Sequence, residues 1–391
     1  METVRYGIVG LGNQGSSYTQ NIFMQGKAEN AVLTALCDCN PKKIDAMKAA
    51  APELEVTYFT DFVTMLESGL VDAVLIEVPH YQHPDLVMEC LKRDIHVICE
   101  KPAGVYAAQV KEMNAAAAKS KALFGMMFNQ RTNCLYRKMR QIIQEGKLGK
   151  LQRVTWIITN WYRVQSYFDC SSWRATWEGE GGGVLINQCP HQLDLVQWVV
   201  GKLPKYVNGF CRYGQWHDIE AEDDVTAYFE YDDGATGMFI TTTGEAPGTN
   251  RFEVSGSLGK LLCENNKLYF YQNDRDSLEF IKTAEGGFGK PECTVTEVET
   301  DGENPQHAGI INNFTAAILG TEPLFVSGTD GLAGVELMNA IEYSGWNGGI
   351  RVQLPVDENA YLQALNEHRK DSHLRPESDE VFNTAGTYGS K

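Results

Sequence analysis

Two residues that are far apart in the chain have side chains able to move a proton at an alcohol group. Lys101 lies in the run Cys99-Glu100-Lys101-Pro102, where an apolar segment ends, and His191 follows a glycine run at 181–183. A partly desolvated lysine ammonium can hold a substrate oxygen and stabilise developing alkoxide charge. Histidine titrates near neutral pH and can accept or return the alcohol proton. The two residues predict acid/base catalysis at a hydroxyl group.

Asn187 and Asp194 flank His191 at helical spacing. They lie four residues before it and three residues after it, so on one helix the three side chains share a stripe and either one can orient the imidazole. Pro190 has no N–H to donate and crowds the residue four positions earlier. The helix therefore begins near Cys189 or is kinked there. A histidine whose hydrogen bonds are satisfied in the core is the alternative role for His191.

The run Gly10-Leu11-Gly12-Asn13-Gln14-Gly15 joins an apolar segment at 4–9 to a predicted helix at 16–24. This order is typical of the strand, turn and helix that bind a dinucleotide, with the phosphates at the amino end of the helix. Gly10 permits the tight turn, Gly12 lets the backbone approach a pyrophosphate, and Gly15 allows close helix packing. We predict cofactor contacts from Gly10, Gly12, Asn13, Gln14 and Gly15.

Asp38 strengthens this interpretation, because it ends a second apolar run at 31–37 and lies 38 − 15 = 23 positions beyond Gly15. A carboxylate there can accept hydrogen bonds from a ribose diol and would repel a 2′-phosphate, so NAD is favoured over NADP. Lys42 and Lys43 follow and can hold a phosphate, which keeps NADP open. The alternative for Asp38 is a turn residue before Asn40.

Alternation of strands and helices in the first part predicts a doubly wound parallel sheet, the Rossmann type of α/β fold. The predicted strands are 4–9, 31–37, 71–78, 95–99 and 122–128, and the predicted helices are 16–24, 41–51, 61–68, 84–92 and 107–120. Ligands of such sheets bind beyond the carboxyl ends of the strands. We therefore predict cofactor contacts from Pro79, His80, His83, Glu100 and Lys101. Lys101 paired with Glu100 in a solvated loop is the alternative.

The second part has a different period and predicts an α+β domain with a large, open, mostly antiparallel sheet. Its predicted strands are 152–160, 206–213, 224–231, 235–243, 251–255, 260–264 and 267–271, and helices at 188–200, 307–319 and 331–343 can cover one face. The other face is free for a subunit interface. We predict two domains, 1–128 and 129–391, and an arm or disorder for the polar tail at 366–391.

Aromatic residues and arginines alternate between 156 and 177. Aromatic faces can stack on the apolar face of a sugar ring, and arginines can bond its hydroxyls. We predict substrate contacts from Tyr162, Arg163, Trp173 and Arg174, together with Lys101, Asn187 and His191. Burial of the aromatic residues in the core is the alternative.

Composition excludes several classes of protein. A formal charge of −17 over 391 residues, with no cluster of Lys and Arg, argues against a nucleic-acid partner. No apolar stretch is long enough to span a membrane, and no signal peptide precedes the first strand, so a cytoplasmic location is expected. The ten cysteines form no CxxC pair, and His80 and His83 have no further ligand near them in the sequence, so free thiols and no metal are expected.

The three motifs together, Gly10 to Gly15, Cys99 to Pro102, and the glycine run followed by Asn187 and His191, resemble the Gfo/Idh/MocA oxidoreductases. The resemblance implies a Rossmann domain, a second domain with a large open sheet, and assembly through that sheet into dimers, tetramers or larger oligomers. It implies that Lys101 lies near the nicotinamide and that His191 is the acid/base. Many members of the family carry Asp where this chain has Asn187.

Within that family the chain looks most similar to members that act on sugars and glycosides, some of which oxidise the C3 hydroxyl to a 3-keto sugar. The hypothesis is an NAD-dependent dehydrogenase of a sugar or glycoside hydroxyl. A myo-inositol (cyclitol) dehydrogenase and a redox-neutral NAD-dependent glycosidase remain as alternatives. A non-catalytic dinucleotide or sugar sensor is the fourth possibility, which loss of activity in Lys101→Ala would exclude.

Overall fold

A computed structural model describes residues 2–376 of the chain. The first sheet has six strands, all parallel, in the order β3-β2-β1-β4-β5-β6. Its strands are β1 Val4–Val9, β2 Ala31–Cys37, β3 Thr57–Phe59, β4 Ala73–Ile76, β5 His96–Cys99 and β6 Phe124–Met126. The order reverses between β1 and β4, which opens a crevice at their carboxyl ends.

The predicted alternation of strands and helices in this part is confirmed. Its helices are α1 Asn13–Tyr18, α2 Pro41–Ala50, α3 Phe62–Glu67, α4 His83–Leu91 and α5 Ala107–Ala117, with a π-helical turn at Thr19–Phe23 and a 3₁₀ turn at His80–Gln82. The first helix begins at Asn13, three residues before the predicted start, because the end of the glycine run is itself helical. The three-residue edge strand β3 was not predicted.

The second sheet has nine strands in the order β14-β13-β12-β11-β7-β10-β9-β8-β15, and only the β7–β10 pair is parallel among the described residues. Its strands are β7 Leu151–Ile158, β8 Tyr206–Tyr213, β9 Glu222–Glu230, β10 Thr236–Thr242, β11 Asn250–Gly256, β12 Gly259–Glu264, β13 Lys267–Asn273, β14 Cys293–Glu297 and β15 Val352–Gln353. The expected mostly antiparallel sheet is confirmed.

The helices of the second part are α6 Cys134–Gln144, α7 Gln165–Asp169, α8 Val184–Asn187, α9 Pro190–Val200, α10 Ser277–Thr283, α11 Gln306–Leu319, α12 Gly331–Trp346 and α13 Glu358–Lys370, with 3₁₀ turns at Asn129–Thr132 and Gly328–Asp330. Of these, α6, α8 and α12 contact strands of this sheet. Helix α12 lies on β8, where Gly209 N donates to Ser344 Oγ at 2.7 Å. Helix α11 reaches the first sheet, where Tyr6 and Thr315 share a buried hydrogen bond of 2.8 Å.

The predicted arm at 366–391 is wrong for its first residues. Helix α13 continues to Lys370, and it is packed against the rest of the chain through the buried Tyr361 and Leu365. Asp357 caps its amino end by accepting from Ala360 N at 2.8 Å. The last turn carries basic side chains, which suit the negative end of the helix dipole. Residues 377–391 lie outside the described residues. Among residues 2–376, no helix is both long and apolar enough to cross a membrane.

Candidate active site

The glycine run after β1 forms a loop that a side chain would block at two positions and leave open at a third. Gly10 has φ +93°, and a Cβ there would lie 2.2 Å from Glu77 O. A Cβ on Gly15 would lie 1.9 Å from Gly10 O, so these two glycines are required by close backbone approach. A Cβ on Gly12 would meet no atom within 4 Å. Gly12 therefore faces open space at the start of α1, as a pyrophosphate cradle requires.

Asp38 closes the other side of this loop. Its side chain is 6% exposed, and its two oxygens accept from Leu11 N and Asn40 N, both at 2.8 Å. It therefore fulfils the turn role considered for it. A carboxylate has about four lone-pair sites, so acceptor capacity remains for a ribose diol. Lys43 Nζ lies 3.8 Å from Asp38 Oδ2 at an exposed position. Asn13 and Gln14 are exposed at the amino end of α1.

Lys101 points from the end of β5 into the second part of the chain. Its Nζ donates to the main-chain oxygen of Asn187 at 3.0 Å, and its own main-chain N donates to Glu100 Oε2 at 3.0 Å. Burial lowers the Lys101 pKa, and the carboxylates of Glu100 and Glu180 oppose that change. The solvated-loop alternative is therefore wrong, because Glu100 is buried and its Oε1 accepts from the Tyr18 hydroxyl.

We expected the Asn187 side chain to orient His191, but its hydrogen-bond partners are other residues. Its Oδ1 accepts from Tyr167 Oη at 3.1 Å and from Gln188 Nε2 at 3.0 Å, and its Nδ2 donates to Glu180 Oε1. Two donors thus take the amide oxygen, and the amide nitrogen donates to Glu180. What Asn187 offers the site is its main-chain oxygen, which holds Lys101.

His191 lies in the first turn of α9. This helix begins at Pro190, in agreement with the alternative in which the helix starts near Cys189 and not with a kink there. Asn187 ends a separate short helix, so the single stripe predicted for the two residues and Asp194 is wrong. Asp194 does not orient His191 either, because it is buried and bonded to Arg131, with Nη2 to Oδ1 at 2.6 Å. Burial, Lys101 and His307 all lower the His191 pKa well below its usual 6.5. The imidazole is therefore neutral near pH 7.

His80 and His83 follow Pro79 at the end of β4, but they have different roles. His83 is 1% exposed, and its ring nitrogens contact Pro102 O at 2.7 Å and Val78 O at 2.8 Å. It ties two strand ends together, so the predicted cofactor contact of its side chain is wrong. The His80 ring lies 5.7 Å from the Trp173 ring, edge to face. Burial lowers the His80 pKa well below its usual value.

The aromatic run divides between core and site. Trp161, Phe168 and Trp177 are buried in the core. The guanidinium of Arg174 lies 4.5 Å from the centre of the Tyr167 ring and 4.8 Å from the centre of the Trp173 ring. Since Trp173 also contacts His80, Arg174 and Trp173 lie on the His80 side of the site. Arg163 donates to Tyr162 O at 3.0 Å and lies over the Tyr167 ring, and the Tyr162 side chain is 51% exposed.

Three residues near Lys101 were not predicted as site residues. Glu180 and His307 both interact electrostatically with the lysine, and Tyr167 bonds the Asn187 amide. An acidic residue inside a glycine run was a usable signal for Glu180, and Tyr167 lay in the aromatic run. His307 is at the start of α11, far along the chain, and no local pattern pointed to it.

The fold and this site define a class of protein. A Rossmann sheet with an open glycine cradle and a carboxylate at the end of β2 is typical of an NAD-binding domain, and a buried lysine and a neutral histidine near the strand ends suit alcohol oxidation. The residues present fit the dinucleotide, because Gly12 leaves room for it and Asp38 keeps acceptor capacity.

Comparisons with known proteins identify the family. Residues 4–128 match "Oxidoreductase family, NAD-binding Rossmann fold", and residues 136–262 match "GFO/IDH/MocA C-terminal domain". The chain is 30% identical over 259 residues to trans-1,2-dihydrobenzene-1,2-diol dehydrogenase of Bos taurus, which covers 66% of this chain and 72% of that protein. It is 26% identical to inositol 2-dehydrogenase of Rhizobium meliloti, over 86% of this chain and 96% of that protein.

A solved structure of the WlbA dehydrogenase from Bordetella pertussis, in complex with NADH and UDP-GlcNAcA, is also similar. Its TM-score is 0.74 at 25% identity, over 91% of this chain and 100% of that one. The chain belongs to the Gfo/Idh/MocA family and is an NAD-dependent oxidoreductase.

Proposed function

We propose that this oxidoreductase oxidises a secondary hydroxyl of a sugar or glycoside, with C3 as the position oxidised and a 3-keto sugar as the product. The observation that carries the proposal is that the Lys101 ammonium, at the end of β5, is held by the main-chain oxygen of Asn187, four residues before the buried His191. The choice of C3 rests on the resemblance of the chain to glycoside dehydrogenases.

The proposed cofactor contacts are made by the glycine cradle and by the ends of β2, β4 and β5. They are Gly10, Gly12, Asn13, Gln14, Gly15, Asp38, Pro79, His80, Glu100 and Lys101. NAD is preferred to NADP because the buried Asp38 carboxylate would meet a 2′-phosphate. NAD held by these residues would supply the acceptor for a hydride from the carbinol carbon of the substrate. We further propose that residues 1–128 form the cofactor domain and residues 129–391 the substrate and oligomerisation domain.

His191 acts as the base in this proposal. Its neutral imidazole, favoured by burial, takes the hydroxyl proton of the substrate. Lys101 holds the same oxygen through its ammonium, which is already aligned by the main-chain oxygen of Asn187 at 3.0 Å. A cation at that oxygen stabilises the negative charge that develops as the proton leaves. Lys101 and His191 are thus the catalytic pair, and Asn187 positions the lysine.

Substrate specificity is proposed to come from the partly exposed residues of the aromatic run. Trp173 offers an aromatic face beside His80, and Arg174 lies against that ring. Tyr162 and Arg163 form the more exposed end. Such a wall suits the apolar face and the hydroxyls of a sugar ring. A cyclitol dehydrogenase is the second candidate, supported by similarity to inositol 2-dehydrogenase over 96% of that protein's length.

The test is reduced-nicotinamide absorbance after mixing the purified protein with NAD, and separately with NADP. The panel contains glucose, alkyl and aryl glucosides, galactose, glucuronate and myo-inositol, and product NMR locates the new ketone. Signal with NAD and a glucoside, with the ketone at C3, is the expected result. Signal with myo-inositol alone favours the cyclitol enzyme. Release of free sugar with no net reduction of added NAD favours the redox-neutral glycosidase.

We also propose that the chain forms a homo-oligomer through the open face of the second sheet. Phe210, Tyr228 and Met238 on neighbouring strands are 55%, 38% and 40% exposed, and Tyr228 pairs directly with Met238. Large apolar side chains in a row on a sheet face mark an interaction surface. Light scattering after size exclusion measures the assembly, and Tyr228→Lys with Met238→Lys is expected to yield monomers.

A further inference from the structure

A buried carboxylate that was not predicted as a site residue is hydrogen-bonded to Asn187, the residue that holds Lys101. Glu180 is 1% exposed, and its Oε2 accepts from Ala175 N at 2.6 Å. Its Oε1 accepts from the Asn187 side-chain amide. Burial raises the Glu180 pKa, while the Arg174 charge and these two hydrogen bonds oppose that change. Both oxygens act as acceptors, which is the pattern of an ionised carboxylate.

The backbone around Glu180 is built to hold it there. Glu180 N and Gly181 N both donate to Thr176 O at 3.0 Å, which closes a turn. Gly181 has φ +85°, and a Cβ there would lie 2.4 Å from a methyl of Val105. A side chain at 181 would push this turn away from Val105, so the glycine keeps Glu180 against the site.

Glu180 connects to Lys101 in two ways. The first is structural, because Asn187 bonds Glu180 through its amide and holds the lysine ammonium through its main-chain oxygen. The second is electrostatic, because burial lowers the Lys101 pKa and the charge of Glu180 opposes that change, together with the larger effect of Glu100. No other described residue links the carboxylate, the amide and the lysine in this order.

We propose that Glu180 is a positioning residue of this active site, whose buried carboxylate fixes the Asn187 amide and thereby the main-chain oxygen that aligns the Lys101 ammonium. The inference rests on the proposed function, and it explains why an amide can stand at 187. The negative charge that residue 187 lacks lies one hydrogen bond away, on residue 180. The carboxylate at 180 and the amide at 187 share one hydrogen bond, so exchanging the two groups between these positions should preserve it.

The interchange can be tested with three variants, E180Q, N187D and the double variant E180Q/N187D. In E180Q the amide cannot accept from both Ala175 N and the Asn187 side chain, and the charge is lost. In N187D two carboxylates face each other. In the double variant the amide introduced at position 180 can donate to the carboxylate introduced at 187, so one negative charge and one hydrogen bond are restored. Glu178→Gln is the matched control, because Glu178 is exposed and pairs with Arg369 at 2.9 Å.

The first readout is independent of any substrate. Acetylation of Lys101, followed across pH by mass spectrometry of its peptide, gives the midpoint at which the amine becomes reactive. We expect this midpoint to fall by about one pH unit in E180Q, to return in the double variant, and to stay unchanged in Glu178→Gln. A midpoint that E180Q leaves unchanged overturns the proposal.

The second readout is turnover with the substrate found in the panel. We expect kcat to fall about tenfold to hundredfold in E180Q and in N187D, with partial recovery in the double variant. A double variant no better than the poorer single variant overturns the proposal. If E180Q does not fold, the comparison of N187D with the double variant decides it. Wild-type protein that is inactive throughout the panel, with the acetylation midpoint moving as expected, overturns the sugar dehydrogenase but supports the role of Glu180.

Discussion

The cofactor half and the catalytic half of the proposed active site differ in which atoms form them. The cofactor half is made largely of main chain, with glycines at 10, 12 and 15 arranged so that backbone faces the ligand. The catalytic half is made of side chains from four segments, which bring Lys101, Glu180, Asn187 and His191 together. The cofactor half depends on the space and the close backbone approach that glycine allows, which a side chain at 10, 12 or 15 would remove. The catalytic half depends on charges and hydrogen bonds that individual side chains supply.

The largest effect is expected from removing the lysine. Lys101→Ala should lower kcat by about 10²- to 10⁴-fold. Among the described residues, Asn187 O holds no other side-chain cation that could replace the lysine at the substrate oxygen. NAD affinity, measured by fluorescence titration, should change less than about tenfold, since the glycine cradle is intact. His191→Ala should behave in the same way. Turnover like that of the wild type in either variant would remove that residue from the catalytic pair.

A pair of glycine variants probes the cofactor half. Gly12→Ala should fold normally, because a Cβ there meets no protein atom, but it should weaken NAD binding about tenfold or more by filling the cradle. Gly10→Ala should lose both NAD binding and thermal stability, because φ is +93° and the Cβ would lie 2.2 Å from Glu77 O. Thermal unfolding and NAD titration separate the two results. Equal NAD affinity in Gly12→Ala and wild type would contradict the cradle.

The pH profile tests the catalytic half alone. Burial lowers the pKa of His191 from 6.5 and that of Lys101 from 10.5. The base must be neutral and the lysine protonated, so kcat/KM should fall about tenfold per pH unit at both ends. The acid limb should lie below pH 6.5 and the alkaline limb below pH 10.5. An acid limb at or above pH 6.5 would contradict a buried neutral base.

The smallest effect is expected on stability. Burial raises the Glu222 pKa to about 7, although its oxygens accept from Gly183 N and Leu185 N at 3.0 Å. The folded state therefore binds a proton that the unfolded state has already released. Stability should fall as pH rises from 4.5 to about 7, by up to about 1.4 kcal/mol per pH unit. Urea unfolding at several pH values should show this slope, and Glu222→Gln should flatten it. The same slope in the variant would assign it to another group.

The cofactor half was largely predictable from sequence for a physical reason. A strand, a tight turn and a helix start are local structures, and the glycines that permit them lie within six residues, 10–15. The parallel order of strands followed from buried apolar runs alternating with helices, such as β4, which is buried throughout. The edge strands β3, β14 and β15 escaped prediction, because β3 and β15 are three and two residues long and every residue of β14 is exposed.

The catalytic half was predictable only as a set of residue types. Sequence spacing placed Asn187 and Asp194 with His191 on one helix, but a helix break at 188–189 separates Asn187, and Arg131 takes Asp194. Likewise His83 had the position of a ligand contact, yet two main-chain oxygens take its ring. Hydrogen-bond partners drawn from distant segments decide which polar side chains remain available, and sequence spacing does not record them.

By itself, then, the sequence determined the parallel sheet and the dinucleotide cradle, and it proposed the lysine and the histidine as candidates, because these depend on local backbone freedom and residue chemistry. Only the tertiary structure decided that a second carboxylate, from the distant Glu180, acts on the lysine in addition to Glu100. Glu180 reaches Lys101 through Asn187 because a turn at Gly181 packs against Val105, and this contact spans distant parts of the chain. Charge placement inside a protein is set by such packing, since burial controls both desolvation and the partners within reach.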